Sequence, residues 1–265
     1  MSSFRLYNNG DVWFQVSGVS HSVRFAHVVD LHLPPRSLDA APRRYHHAIQ
    51  WWDIDSGRPH ERLPQLLDEV RACGVDFVFF GGDLLDFYDQ DAAVGVVELC
   101  RQRDLACHFQ FGNHDFESLH VRYVTHELDP AVRRENRAKL CEHWSMPAPD
   151  YAFTHEGVRF ISLDCPYEPH EQSWGGRLGN DQVEWFLSEL KHDGPIVVFH
   201  HVPFNLPTLE HRLRAIWNGA LATLIDDANT RRVHDAIADH PASWALSRDT
   251  RMPAAKTRSA GLGST

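Results

Sequence analysis

Short apolar runs alternate with amphipathic stretches along most of this chain. The runs Arg24–Asp30, Asp76–Phe80, Ala106–Phe111, Val158–Asp164 and Ile196–His200 are rich in Phe and Val and end in Gly, Asp or His, as buried strands do. Between them, Glu61–Ala72, Ala92–Arg103, Val132–His143, Asp181–Lys191 and Leu221–Ala238 space their apolar residues three and four apart, which predicts helices. Strand and helix in alternation give a layered α/β fold. Near the start, LYNNGDVWFQV reads as a hairpin with its turn at Asn8–Gly10. Pro34–Pro59, rich in Pro, Arg and Trp, reads as a long loop, and Glu117–Pro149 reads as an insertion able to form a helical lid. No internal repeat is present.

Residues 1–242 are read as one domain that lacks its last strands, and from Ser243 to Thr265 the periodicity lapses into an irregular tail ending in Gly and Ser. A length of 265 residues with 43% hydrophobic content is enough for one substantial core. The net charge of −10 argues against nonspecific nucleic-acid binding through a basic surface, so nucleic acid is not the favoured partner. It leaves a phosphate substrate open, because bound cations would reverse the local sign. Five cysteines without a C-x-x-C pair predict reduced core thiols and a cytoplasmic protein. No apolar stretch is long enough for a signal peptide or a membrane span.

Four short motifs follow predicted strands: Asp30-Leu31-His32, Gly82-Asp83-Leu84-Leu85-Asp86, Gly112-Asn113-His114-Asp115 and His200-His201. In open α/β sheets the functional crevice lies outside the carboxyl ends of the strands, so segments distant in sequence converge there. A buried strand ending in a carboxylate needs compensation, and a metal ion supplies it. Carboxylate, amide oxygen and imidazole together suit Mn, Fe, Zn or similar divalent ions. Two such ions about 3.5–4 Å apart could share one carboxylate, clamp a phosphate and activate water. No P-loop, G-x-S-x-G elbow or dinucleotide fingerprint competes. Each motif alone is weak, since D-x-H and G-D-x-x-D arise as ordinary turns and a lone His pair is more often core and surface. Their joint occurrence, in order and each after a strand, carries the reading.

These motifs resemble those of the calcineurin-like metallophosphoesterase superfamily, with the resemblance running from about Val23 to Pro203. It implies a β-sandwich flanked by helices, carrying a two-metal site that hydrolyses small phosphodiesters or phosphomonoesters. It further implies that Asp30 and His32 hold one ion, Asp83 bridges both, and Asn113 and His200 hold the other. His114 becomes the catalytic histidine, with Asp115 orienting it. Asp86 stands behind the ligands, and strand alternation aims His201 away from whatever His200 binds. His46, His47, His120, His126, His143 and His170, with Arg36, Arg43, Arg44 and Arg122, lie on the insertions, where a solvated surface is the default. Trp51-Trp52 could stack a ring, or pin the loop to the core.

The family pattern ends in G-H-x-H, and no such motif occurs here. His234 and His240, in or just after a predicted helix, are poor substitutes. The expected explanation is that Ser243–Thr265 is out of frame, because a one-base shift lets Trp244–Met252 encode an apolar run ending in Gly-His-x-His. The competing expectation is a catalytically impaired module that keeps the fold. A nuclease is disfavoured by the acidic balance.

Overall fold

The computed structural model describes residues 3–6, 12–15, 21–36, 58–118, 130–164, 176–204, 224, 226–241 and 243–246. Strand β1 (Ser3–Leu6) pairs antiparallel with β2 (Val12–Gln15), Leu6 opposite Val12, as the hairpin pattern predicted. The main body is built from β3 (Phe25–Val28), α1 (Arg58–Ala72), β4 (Phe77–Gly81), α2 (Gln90–Arg101), β5 (Cys107–Gln110) and α3 (Pro130–His143). The second half continues with β6 (Tyr151–His155), β7 (Val158–Ser162), α4 (Asn180–Glu189), β8 (Ile196–Phe199), α5 (Ala228–Asp239) and β9 (Ser243–Leu246).

One sheet has the order β3-β4-β5, all parallel, and the other the order β6-β7-β8-β9, in which only the β6–β7 pair is antiparallel. Period-two alternation explains how β4 serves two cores at once. Phe77 and Phe79 face the other sheet and meet Val158, Phe160, Val197 and Phe199, with the Phe79 and Phe199 rings stacked 3.6 Å apart. Val78 and Phe80 point the opposite way, into a core shared with Leu63 and Leu67 of α1 and Val96 and Cys100 of α2. On the far side of the second sheet, Ile161, Ile196 and Val198 pack against Val183 and Phe186 of α4 and Val233 and Ile237 of α5. Each fully buried Phe stabilises this arrangement by about 1.5–3 kcal/mol through the apolar area it removes from water. The result is a β-sandwich flanked by helices, as expected.

The differences from the sequence reading lie at element ends. The strands are shorter than their apolar runs: β3 stops at Val28 instead of Asp30, and β8 at Phe199 instead of His200. Strand β6 was not expected because its sequence, YAFTH, mixes polar and apolar residues; it pairs with β7 across a tight turn at Glu156-Gly157, both at positive φ. Strand β9 was also not expected. It lies in the stretch read as an irregular tail, yet pairs parallel to β8. The helix expected from Leu221 starts at Ala228, where Asp227 caps it by accepting from Thr230 N. Among the described residues no helix is long and apolar enough to cross a membrane.

Candidate metal centre

The carboxyl ends of β3, β4, β5 and β8 meet at one rim. Past β3 the chain keeps running beside the loop after β4: Asp30 N donates to Gly82 O (3.2 Å), His32 N to Asp83 O (2.9 Å) and Leu33 N to Leu84 O (2.8 Å). To do so Asp30, His32 and Asp83 adopt left-handed backbones, with φ of 54°, 44° and 50°. Such conformations are costly for residues with a Cβ and cluster at functional sites. All three are positions at which the sequence predicted a ligand.

Two glycines permit the close approach. A Cβ on Gly112 would lie 2.1 Å from Asp83 Oδ1, and one on Gly82, at φ +97°, would lie 2.6 Å from His201 Nδ1. Asp83 is therefore enclosed, 1% exposed. Its Oδ1 accepts from His114 N at 2.8 Å, and its Oδ2 faces His201 Nε2 at 3.1 Å and His32 Nε2 at 3.8 Å. Burial opposes its ionisation, but the imidazoles of His201, His114 and His32 outweigh burial and hold its carboxyl well below the usual range.

Possible donor atoms form two triads that share Asp83: His32, Asp83 and His114, and Asp30, Asp83 and His201, each within 4.8 Å. Asn113, 4% exposed, buries an Oδ1 that has no hydrogen-bond partner among the described residues. A buried, unpaired amide oxygen beside carboxylates and imidazoles is the donor that a hard or borderline cation would satisfy. The donor set thus fits divalent metal ions. Burial disfavours a charged His32, but the Asp86 hydrogen bond and the charges of Asp83, Asp86 and Asp30 prevail and raise it to about 9. A field that favours a proton so strongly also favours a cation.

The structure places three of these residues differently from the expected arrangement. His201, not His200, approaches Asp83. Strand alternation ends with the strand at Phe199, so the period-two rule does not extend to the pair. His201 Nδ1 donates to Gly81 O at 2.9 Å, leaving Nε2 toward the Asp83 carboxylate. His200 instead turns its Nδ1 to Val202 O at 3.0 Å and packs near the Phe204 ring, where burial pushes its pKa down to about 4. Pro203, which marks the end of strand pairing, was the available signal.

The Asp115 carboxylate makes its hydrogen bonds to backbone N–H groups instead of the His114 ring. It accepts from Asp83 N (3.0 Å), Leu85 N (2.8 Å) and Gly112 N (2.7 Å), pinning two site loops together. Burial and the nearby Asp83 charge push its pKa up to about 6. The carboxylate that meets the His114 ring is Asp86: its Oδ1 lies 3.0 Å from His114 Nδ1 and 3.3 Å from His32 Nδ1, so one carboxylate contacts two imidazoles.

Of the insertion candidates, His143 meets Tyr88 OH at 3.5 Å and Arg36 N donates to Asp89, both away from the triads. His46, His47, His120, His126, His170, Arg43, Arg44, Arg122 and Trp51-Trp52 lie outside the described residues. His234 sits on α5 beside Asp235, and neither it nor His240 joins a triad. The α3 part of the expected lid packs a polar face inward. Arg133 pairs with Glu117, Asn136 donates to Phe116 O, and Arg137 pairs with Asp164.

The chain is similar to several known proteins. A probable cyclic nucleotide phosphodiesterase from Rhodococcus erythropolis is 26% identical over 185 residues, covering 66% of this chain and 52% of the relative. The chain thus spans about half the length of that curated relative. A dimetal phosphatase from Danio rerio is similar over 83% of this chain and 79% of its own, with a TM-score of 0.47 and 14% identity. A purple acid phosphatase from yellow lupin (Lupinus luteus) seeds is similar over 91% of this chain and 41% of its own, with a TM-score of 0.44 and 12% identity. The calcineurin-like phosphoesterase family matches residues 23–233, which include every donor named above, and the chain belongs to that family.

Proposed function

We propose that this chain is a metal-dependent hydrolase of small phosphoric esters, with phosphodiesters favoured, working through two divalent ions and His114. The observation that carries the reading is the contact between His201 and Asp83. With Nδ1 committed to Gly81 O, Nε2 faces a carboxylate oxygen 3.1 Å away, a contact that a shared positive charge holds together: a proton on the ring or, in its place, a metal ion. A metal-bound histidine typically donates its other nitrogen to a backbone carbonyl, as His201 does. Asp30, His32, Asp83, Asn113 and His201 would hold the ions, with Asp83 common to both. When bound, the ions supply Lewis-acid polarisation of the phosphoryl group and lower the pKa of a water nucleophile.

His114 is held at Nδ1 by Asp86, which leaves Nε2 to give a proton to the departing oxygen. Asp115 and the glycines keep the loops close. The preference for a diester follows the Rhodococcus relative and remains open to a monoester. The competing reading, an interaction module with impaired chemistry, rests on the missing G-H-x-H; the clustered donors and the family match favour the hydrolase.

The test is metal content per chain, with hydrolysis of a panel of phosphomonoesters and phosphodiesters in Mn, Fe, Zn and Mg. Asp83→Asn keeps shape but removes the shared charge, so both ions should be lost together and activity with them. Normal metal content and turnover in that variant would overturn the two-ion assignment.

A further inference from the structure

We infer that Gln110 is a positioning residue that fixes the separation between Asn113 and His201, the donors that the two sheets bring to the rim; this rests on the two-ion reading above. Gln110 is the last residue of β5 and is 1% exposed. Its Nε2 crosses to the opposite sheet and donates to Phe199 O at 2.8 Å and Leu163 O at 2.9 Å, with Ser162 Oγ at 3.3 Å. Reversing the amide would set Oε1 against two carbonyl oxygens, so its orientation is fixed.

The places it joins give these bonds their importance. Phe199 directly precedes His200-His201, Leu163 N is itself bonded to Phe199 O at 2.9 Å, and Asn113 is three residues beyond Gln110. Gln110 also pairs in register with Gly81, whose carbonyl holds the His201 ring. One side chain therefore ties the β5 and β8 ends at the level where each turns into the site. Its Oε1 is buried without a partner among the described residues, a penalty that an apolar filler would avoid. The contribution of the amide lies in its donors, which hold the sheets at one spacing. Apolar ring packing is non-directional, whereas the amide's two N–H donors select which carbonyls they reach and at what angle.

The experiment uses the full chain and its Gln110→Met variant, which keeps side-chain length and loses both donors. Each is equilibrated with Mn²⁺ and gel-filtered, and metal per folded chain is measured beside kcat and KM for bis(p-nitrophenyl) phosphate. The expected result is native circular dichroism, loss of about one metal equivalent, and kcat reduced at least about tenfold with KM changed far less. Asp83→Asn is the control for the underlying reading. If it loses metal while Gln110→Met matches the parent, the Gln110 inference fails alone; if it keeps its metal, the two-ion reading fails beneath it. Should Gln110→Met not fold, Gln110→Glu takes its place, since a buried carboxyl donates only while protonated. Its metal content relative to the parent should fall between about pH 5.5 and about pH 8. A flat ratio overturns the inference.

Discussion

His200 and His201 are neighbours in sequence and opposites in environment. One is sealed against Phe204 with its Nδ1–H satisfied by Val202 O; the other turns Nε2 to a carboxylate between two sheets. The consequence is a clean contrast between two alanine variants. His201→Ala should weaken Mn²⁺ binding at least about 100-fold, the upper end of what losing even a ligand's supporting partner does. His200→Ala should keep its metal and lose thermal stability through the void it leaves. Equilibrium dialysis against Mn²⁺, paired with a melting curve, checks both; metal loss from His200→Ala with retention in His201→Ala would reverse the assignment. At this scale the sequence pointed to Asp30, His32, Asp83, Asn113 and His114 as candidates, because each follows an apolar run that needs a reason to end in a polar group, and the structure brings all five to one rim. It did not reveal which of two adjacent histidines turns inward, nor that Asp86 would hold His114. Those depend on how the chain leaves the strand, and no periodicity extends there.

Among the polar contacts that hold elements to one another, Asp150 joins three elements. Its Oδ1 accepts from Asp164 N, just past β7, and from Gln182 Nε2 on α4, at 2.8 Å each, and β6 begins at the next residue. The charged groups facing it are the Asp164 carboxylate and, from α3, the Arg137 guanidinium that pairs with Asp164. Burial, followed by the Asp164 charge, pushes Asp150 up to about 7. Its folded value thus lies above its unfolded one, so its contribution is fully present below the ordinary carboxylate range and is lost as pH rises through about 7. Asn at 150 keeps the acceptor and cannot ionise. Asp150→Asn should match the parent within about 1 °C at acidic pH and exceed it by about 3 °C or more at pH 8. A melting-temperature series against pH decides it, and parallel curves would refute the claim. The strands that could be read beforehand were continuous apolar runs such as DFVFF and PIVVF. Strand β6 could not, because its residues line a half-buried edge and its pairing is set by the Glu156-Gly157 turn.

For the whole molecule, the two sheets deliver their strand ends to one rim, and β9 belongs to that delivery. It pairs parallel to β8, with Ser243 opposite Ile196 and Leu246 opposite Phe199, so its carboxyl end lies beside the residue that introduces His200-His201. The residues encoded next in the sequence, Ser247-Arg248-Asp249-Thr250-Arg251-Met252, include no histidine. A one-base shift changes that. Read from the third base of each codon, with four-codon families for Leu, Ser and Arg, Ser243 into Trp244 gives Leu, Met or Val, and the next triplet is Gly. A small residue or Pro, an apolar residue, and another small residue or Pro follow. The bases spanning Arg248 to Met252 then encode Gly-His-x-His if the free positions are G, C, any base and C. This alternative keeps a strand compatible with β9 and ends it in imidazoles, at the edge of the sheet that already contributes His201. We expect the gene to carry those bases, and the shifted product to bind two ions more tightly than the chain with Ser243–Thr265 as written. Sequencing the gene is the decisive measurement. Bases that cannot encode Gly-His-x-His in any frame would end the idea and leave Asp30, His32, Asp83, Asn113 and His201 as the donor set the chain must work with.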